Sequence, residues 1–235
     1  MPTRERQPHR TRDAQPPHGA ASKKVWADRT GALEAARLET LERLAIAMEC
    51  RGIEAKQHGL RVGRVAALLA ERLGLSADRV YLIRHAAAVH DVGKLAIPDA
   101  ILLKPGRLTA DERWLMQTHT TIGAEILAGS RAPVLRTAER IGRSHHERWD
   151  GTGYPDNLLG DAIPLGARIV AVADVFDALS DARPHRSAWP LDEAVEEIHR
   201  GGGSQFDPRV VDAFMHLDHP HLLRPVEPQS ERGDR

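Results

Sequence analysis

Val80-Tyr81-Leu82-Ile83-Arg84-His85-Ala86-Ala87-Ala88-Val89-His90-Asp91 decides how this chain is read. It is an apolar, helix-like run without a breaker, and it closes on a histidine and an aspartate. A polar pair ending so apolar a run costs free energy unless something satisfies it. Two explanations stand: a buried hydrogen-bonded pair at a helix end, or a pair of metal ligands. Adjacent helix positions point about 100° apart, given about 3.6 residues per turn. The two side chains can still meet at one cluster if the aspartate bridges two metals while the histidine binds one.

The helical period extends outward in both directions. Leu38, Leu41, Leu44, Ala45 and Met48 mark one apolar stripe, and Val62, Val65, Ala66, Leu69 and Leu73 mark another. Gly74 is a helix stop and Ser76 an N-cap for the helix that follows. Thr109-Ala110-Asp111-Glu112 has capping-box spacing, and Asp207-Pro208 supplies an N-cap with proline at the first helical position. No segment alternates as a strand would. The predicted fold is all-α, a single helical bundle over residues 31–220 around a buried metal cluster. Loops are expected near 92–107, 147–165 and 180–190. Residues 1–30, rich in Arg, Pro, His and Gln, are expected to be a disordered basic tail, and 221–235 a second short tail.

The bulk composition bounds function. The chain has 235 residues, with 33 basic and 33 acidic side chains, so it is no strongly basic nucleic-acid binder. One cysteine, Cys50, excludes an internal disulfide and fits a reducing cytoplasm. No apolar run of about 18 residues predicts a membrane span, and no signal peptide is visible.

Other residues add to the His90-Asp91 pair. His145-His146 places two imidazoles before Gly151-Thr152-Gly153-Tyr154-Pro155. Glu147 reads either as an acceptor orienting one of those rings or as a solvent-facing side chain. Asp174 sits in the apolar run Arg168-Ile-Val-Ala-Val-Ala-Asp174-Val-Phe176, where a carboxylate wants a metal, a cation or a capping role. His119, taken alone, reads as a surface or capping histidine. Glu54 and His58 share a face if their segment is helical. His85, His199 and His216 read as structural. Imidazoles and carboxylates without thiolates suit zinc, iron, manganese or nickel rather than magnesium or calcium.

Taken together, these residues resemble the HD-GYP family of bacterial cyclic dinucleotide phosphodiesterases, a branch of the HD-domain metal-dependent phosphohydrolases. The resemblance covers about residues 50–215. It rests on His90-Asp91-Val-Gly-Lys94, Ile97-Pro-Asp-Ala-Ile-Leu-Leu-Lys-Pro-Gly106, His119, His145-His-Glu-Arg-Trp-Asp-Gly-Thr-Gly-Tyr-Pro155, Arg168 to Leu179, and Phe206-Asp-Pro208. It implies metal ligands at His58, His90, Asp91, His119, His145, His146 and Asp174, with Asp91 bridging. Glu54 matches a carboxylate of members that resemble trinuclear enzymes, while Gly52 departs from that pattern. The centre implied is binuclear or trinuclear, of iron or alternatively manganese. Lys94 is implied near the scissile phosphate, and Arg183 and Arg186 on the substrate phosphates. Ala182 and His185 depart from the usual form of that loop.

The implied reaction is hydrolysis of cyclic di-GMP to the linear dinucleotide, GMP or both, by a hydroxide bridging the metals. Lys94 and Asp91 are the catalytic residues expected. Alternatives are another cyclic dinucleotide such as cyclic GMP-AMP, a non-catalytic signalling module, or a different HD-type phosphohydrolase, against which the intact 145–155 segment weighs. The resemblance also admits a protein partner through the 151–155 loop, and a homodimer is a further expectation.

Overall fold

The computed structural model describes residues 20–49, 57–181 and 187–223, apart from the side chains of 20–30 and 34. Its backbone divides into two units, 1–39 and 40–235, and the core lies in the second. Helix α1 (Ala20–Glu49) begins inside the stretch expected as a tail, where Ala, Lys and Ser replace the prolines that precede Ala20. Between Thr40 and Glu49 it buries Ala45 and packs Leu41 and Met48 against the core, an i, i+4, i+7 stripe. Leu44, expected on that stripe, is exposed.

Helices α2 (His58–Arg72) and α3 (Ala77–Ala87) form the centre of the bundle. Val62, Val65, Ala66 and Leu69 of the predicted stripe are buried, and Leu73 packs against them. The helices approach closely because of glycine. A Cβ on Gly59, beside His58, would come 2.3 Å from the Ala88 carbonyl oxygen. Gly74, at φ 75°, turns the chain out of α2, and Leu75 N–H bonds back to the Ala70 carbonyl.

A 3-10 turn at Val92–Ala96 and the short helix α4 (Asp99–Leu102) occupy part of the segment expected as a loop. Helix α5 (Ala110–Gln117) opens on the predicted capping box: Thr109 Oγ1 accepts from Glu112 N–H, and Glu112 accepts from Thr109 N–H. Helices α6 (His119–Leu127), α7 (Pro133–Ser144) and α8 (Leu165–Ser180) follow. Then come α9 (Leu191–Arg200), α10 (Pro208–Met215) and α11 (His219–Leu222). Asp207 caps α10 as predicted. No strand forms among the described residues; two isolated bridges, Asp150 with Leu159 and Gly202 with Phe206, are all the β-type pairing they hold.

The folded region extends past 220. Leu222, expected in the C-terminal tail, is buried, and its carbonyl accepts from the Arg64 guanidinium. Apolar burial and that bond hold the last turn down.

Candidate metal centre

The run from Val80 does not stay helical to its end. Helix α3 stops at Ala87, and Val89 and His90 bond back only three residues, to Ala86 and Ala87. The α-helix thus ends ahead of the pair, and the tighter turn that follows sets the directions of both side chains. His90 and Asp91 are both buried and turned to one place. The chain can then cross tightly over α6 because residue 93 is glycine: a Cβ there would lie 1.9 Å from the His119 carbonyl oxygen.

Two groups of ligand-type side chains meet around Asp91. One comprises Asp91, His119, His145 and His146; the other comprises His58, His90 and Asp174. Their elements bring them in from different directions. His58 opens α2, His119 opens α6, His145 and His146 follow the last turn of α7, and Asp174 projects from mid-α8. His119 is buried, which corrects the surface or capping role its sequence neighbours suggest.

Asp91 faces both groups. Its Oδ1 lies 3.3 Å from His119 Nε2 and 3.6 Å from His145 Nε2, while Oδ2 lies 3.2 Å from His90 Nε2. Asp174 Oδ1 lies 3.3 Å from His58 Nε2 and 3.7 Å from His90 Nε2. Ligands about 2.1 Å from a shared ion lie at most about 4.2 Å apart, so these separations fit.

The outward nitrogens fix the rings. His90 Nδ1 is 2.8 Å from the Ala87 carbonyl, His119 Nδ1 2.7 Å from that of Met116, and His145 Nδ1 2.9 Å from that of Gly142. A carbonyl only accepts, so each Nδ1 carries the proton and each Nε2 presents a lone pair inward. His58 differs, with Nδ1 2.7 Å from the Asp177 carboxylate. Nε2 of His90, His119 and His145, and Oδ1 of Asp91, are buried without a hydrogen-bond partner among the described residues. Orphaned buried acceptors that converge are the arrangement a cation completes. The residues therefore fit a metal.

Electrostatics agree. Burial works against ionisation of Asp91, yet Lys94 and His90 hold its carboxyl well below the usual range. Burial likewise opposes charge on Asp174, and His58 and His90 overcome it. Burial pushes His145 down, and burial together with His145 pushes His146 far down, so both remain neutral and able to ligate. His90 is the exception: Asp91 outweighs its burial and raises it, which favours the protonated ring until a cation displaces the proton.

Lys94 Nζ donates to Asp91 Oδ2 across one turn. It lines a cleft with His58, His90 and Asp91, which Glu49 and Leu102 also border. Glu49 accepts from Gly59 N–H at 3.0 Å and so caps the start of α2 beside His58. The predicted ligand Glu54 and the predicted phosphate-gripping Arg183 and Arg186 lie outside the described residues, as do Gly52, Ala182 and His185.

Three further residues support the site, and the first of them, Asp177, was not singled out from sequence. Asp177, one turn after Asp174 on α8, receives Arg61 Nε at 2.6 Å and Nη2 at 2.9 Å as well as the His58 ring. The i, i+3 spacing of two aspartates in an apolar helix was the available signal. Tyr154 stacks on His146, ring centroids 4.8 Å apart and planes 27° apart. Glu147 is neither of the things expected. It is buried, and it accepts from Asp156 N–H at 2.7 Å and Leu158 N–H at 3.0 Å, closing the 147–158 loop on itself. Within that loop the Tyr154–Pro155 peptide is cis.

The fold and this cluster agree with what the chain resembles. The profile of the HD-domain family matches residues 36–210, and the chain belongs to that family, in its HD-GYP branch. It is 52% identical over 177 residues to the "Cyclic di-GMP phosphodiesterase response regulator RpfG" of Xanthomonas campestris pv. campestris, covering 75% of this chain and 47% of that protein. It is 47% identical over 180 residues to a "Cyclic di-GMP phosphodiesterase" of Thermotoga maritima, covering 77% of this chain and 49% of that protein. A "3'3'-cGAMP-specific phosphodiesterase 2" of Vibrio cholerae is 42% identical over 177 residues, covering 75% of this chain and 34% of that protein. The chain thus spans about half the length, or less, of these relatives. Among solved structures, a cyclic GMP-AMP phosphodiesterase from V. cholerae has the same fold, with TM-score 0.59 and 23% identity over 79% of this chain and 50% of that one.

Proposed function

We propose that this chain is a metal-dependent phosphodiesterase unit that hydrolyses cyclic di-GMP to the linear dinucleotide, GMP or both. The observation that carries the proposal is the position of Asp91, one oxygen toward each ligand group and Lys94 on its outer edge. Identity to two relatives named for cyclic di-GMP supports that substrate.

In this reading His58, His90 and Asp174 would hold one metal and His119, His145 and His146 another, with Asp91 offering an oxygen to each group. Nitrogen and oxygen donors without thiolate suit a transition metal, and the family resemblance makes iron the choice proposed, with manganese as the alternative. Glu54 is the candidate for a third. Such metals supply Lewis acidity and lower the pKa of bound water toward about 7.

The chain's own residues do the rest. The Nδ1 anchors keep the imidazoles aimed inward before any substrate arrives, so little reorganisation is needed. The Lys94 ammonium, at the cleft wall, offsets negative charge on the phosphoryl oxygens as the bond to the 3′ oxygen breaks. Arg183 and Arg186 grip the phosphates in the same proposal. Cyclic GMP-AMP is the second reading, supported by the relative named for it. No protein partner is needed to explain the 151–155 loop, since Glu147 and the Arg148–Asp150–Thr152 bonds account for its shape. Among the described residues no helix is long and apolar enough to cross a membrane, and we place the protein in the cytoplasm.

The test is incubation of protein purified without oxygen and loaded with iron or manganese, with product separation by chromatography. Linear dinucleotide or GMP is expected from cyclic di-GMP. Absence of both products with either metal rules the proposal out, and a higher kcat/KM for cyclic GMP-AMP replaces it with the second reading.

A further inference from the structure

A second cleft, of about 460 Å³, opens beside the metal centre and is lined by Arg107, Leu108, Arg113, Met116, Gln117 and Tyr154. It shares two walls with the centre. Tyr154 is stacked on His146, and Met116 is the residue whose carbonyl fixes the His119 ring. An occupant of the cleft is therefore one side chain away from the group formed by Asp91, His119, His145 and His146.

The lining has a definite chemistry. Leu108 and Met116 give an apolar wall, and Gln117 gives a neutral amide. Arg107 and Arg113 are exposed and have no hydrogen-bond or ion-pair partner among the described residues. The nearby cation Lys104 differs, because Glu112 neutralises it at 2.6 Å. Helix α5 buries none of its residues, so Arg113, Met116 and Gln117, at i, i+3 and i+4, are presented to the cleft rather than used for packing. Two solvent-exposed guanidiniums without a protein partner among the described residues, set over an apolar wall, suit a planar base carrying paired acceptors, or a phosphate beside such a base.

Building on the phosphodiesterase reading above, we propose that this cleft seats the nucleotide half of the substrate that is not being cut, with Arg107 and Arg113 as its binding residues. The guanidiniums take either guanine O6 and N7 or the second phosphate, which present the same paired acceptor chemistry. The cleft lies within the usual range for small-molecule sites, about 300–1,000 Å³.

Arg107→Gln and Arg113→Gln, each in the full metal-loaded chain, test this. Each is expected to raise KM for cyclic di-GMP about tenfold, the low end for loss of one bidentate contact, with kcat within about threefold. Metal content and melting temperature monitor folding, and Arg→Lys at either position should recover only part of the loss because it lacks the fork. Inhibition by cyclic di-AMP separates the two contacts. If both substitutions weaken it as much as they weaken cyclic di-GMP, the arginines hold phosphate. If its inhibition is unchanged, they read guanine. Unchanged KM for cyclic di-GMP in both variants, with the unsubstituted protein active, overturns the cleft assignment alone. An unsubstituted protein that hydrolyses bis(p-nitrophenyl) phosphate but no cyclic dinucleotide overturns the phosphodiesterase reading, and this inference with it.

Discussion

Asp177 holds His58 from behind: its Oδ2 lies 2.7 Å from His58 Nδ1, while Nε2 of the same ring faces Asp174. Of the candidate ligand imidazoles with a described Nδ1 hydrogen bond (His58, His90, His119 and His145), His58 is the one anchored on a carboxylate rather than a carbonyl. A carboxylate partner raises ligand basicity and fixes the ring. Asp177→Asn should therefore weaken metal binding about 10–100-fold, as loss of such outer partners does. Competition with a chelator of known affinity measures it. Affinity within twofold of the unsubstituted protein would show that Arg61 and Asp181 position the helix well enough alone.

The same carboxylate predicts a pH effect. Burial opposes its charge, but His58 and Arg61 hold its folded pKa below the ordinary 3.8. A depressed folded pKa contributes stability that is present above the unfolded value and is lost as pH falls through the folded one. Metal-free protein should thus lose stability below about pH 4, and Asp177→Asn should flatten that part of the curve. Urea unfolding from pH 6 to pH 3 reads the two slopes, and equal slopes would refute the assignment.

Lys94→Ala should lower kcat by a factor on the order of 10²–10³, the usual cost of removing one charge-stabilising group, while KM changes by less than about threefold. Lys94→Arg should rescue poorly, since a planar fork replaces a compact ammonium. Steady-state kinetics on cyclic di-GMP decide. A change confined to KM would make Lys94 a ground-state binder.

Glu147→Ala should strand the N–H groups of Asp156 and Leu158, at about 1–3 kcal/mol for each that stays buried. The measured outcome is a lower melting temperature and faster proteolysis between 151 and 158. Glu147→Gln keeps one acceptor oxygen and should fall between. If cleavage rates match the unsubstituted protein, the loop is held by other bonds.

Chelation should lower the melting temperature, because the metal relieves the convergent lone pairs of His90, His119, His145 and Asp91. Differential scanning calorimetry with and without iron or manganese checks it. An unchanged midpoint would mean that the cluster is no cation site.

The sequence was most legible where a local period carries the information. The stripe on α2, the Thr109–Glu112 capping box and the Asp207 cap are contacts among near neighbours, and each stands where its spacing placed it. Residues that meet across the fold were legible only through resemblance. Spacing alone left His119 a surface histidine, because nothing near it reveals that the crossing at Gly93 covers it. Glu147 was misread for a related reason. Its neighbour His146 suggested a partner, whereas its true partners lie nine and eleven residues on, brought back by loop closure. Asp177 carries only its i, i+3 spacing from Asp174, and the unpaired Arg107 and Arg113 carry no comparable signal. Their roles depend on what three-dimensional packing sets beside them.

The convergent acceptors around Asp91 have one further consequence. Without a cation the buried acceptors around Asp91 lack the partner that would satisfy them, so loss of metal would cost the fold stability as well as function. The metal-free chain opens more readily, and proteases act on the opened form. In a cell poor in the metal that fills this site, the number of copies, and not only the work each does, would follow the supply of that metal. A signal-degrading activity would thereby fade through turnover of the protein itself, on the timescale of proteolysis.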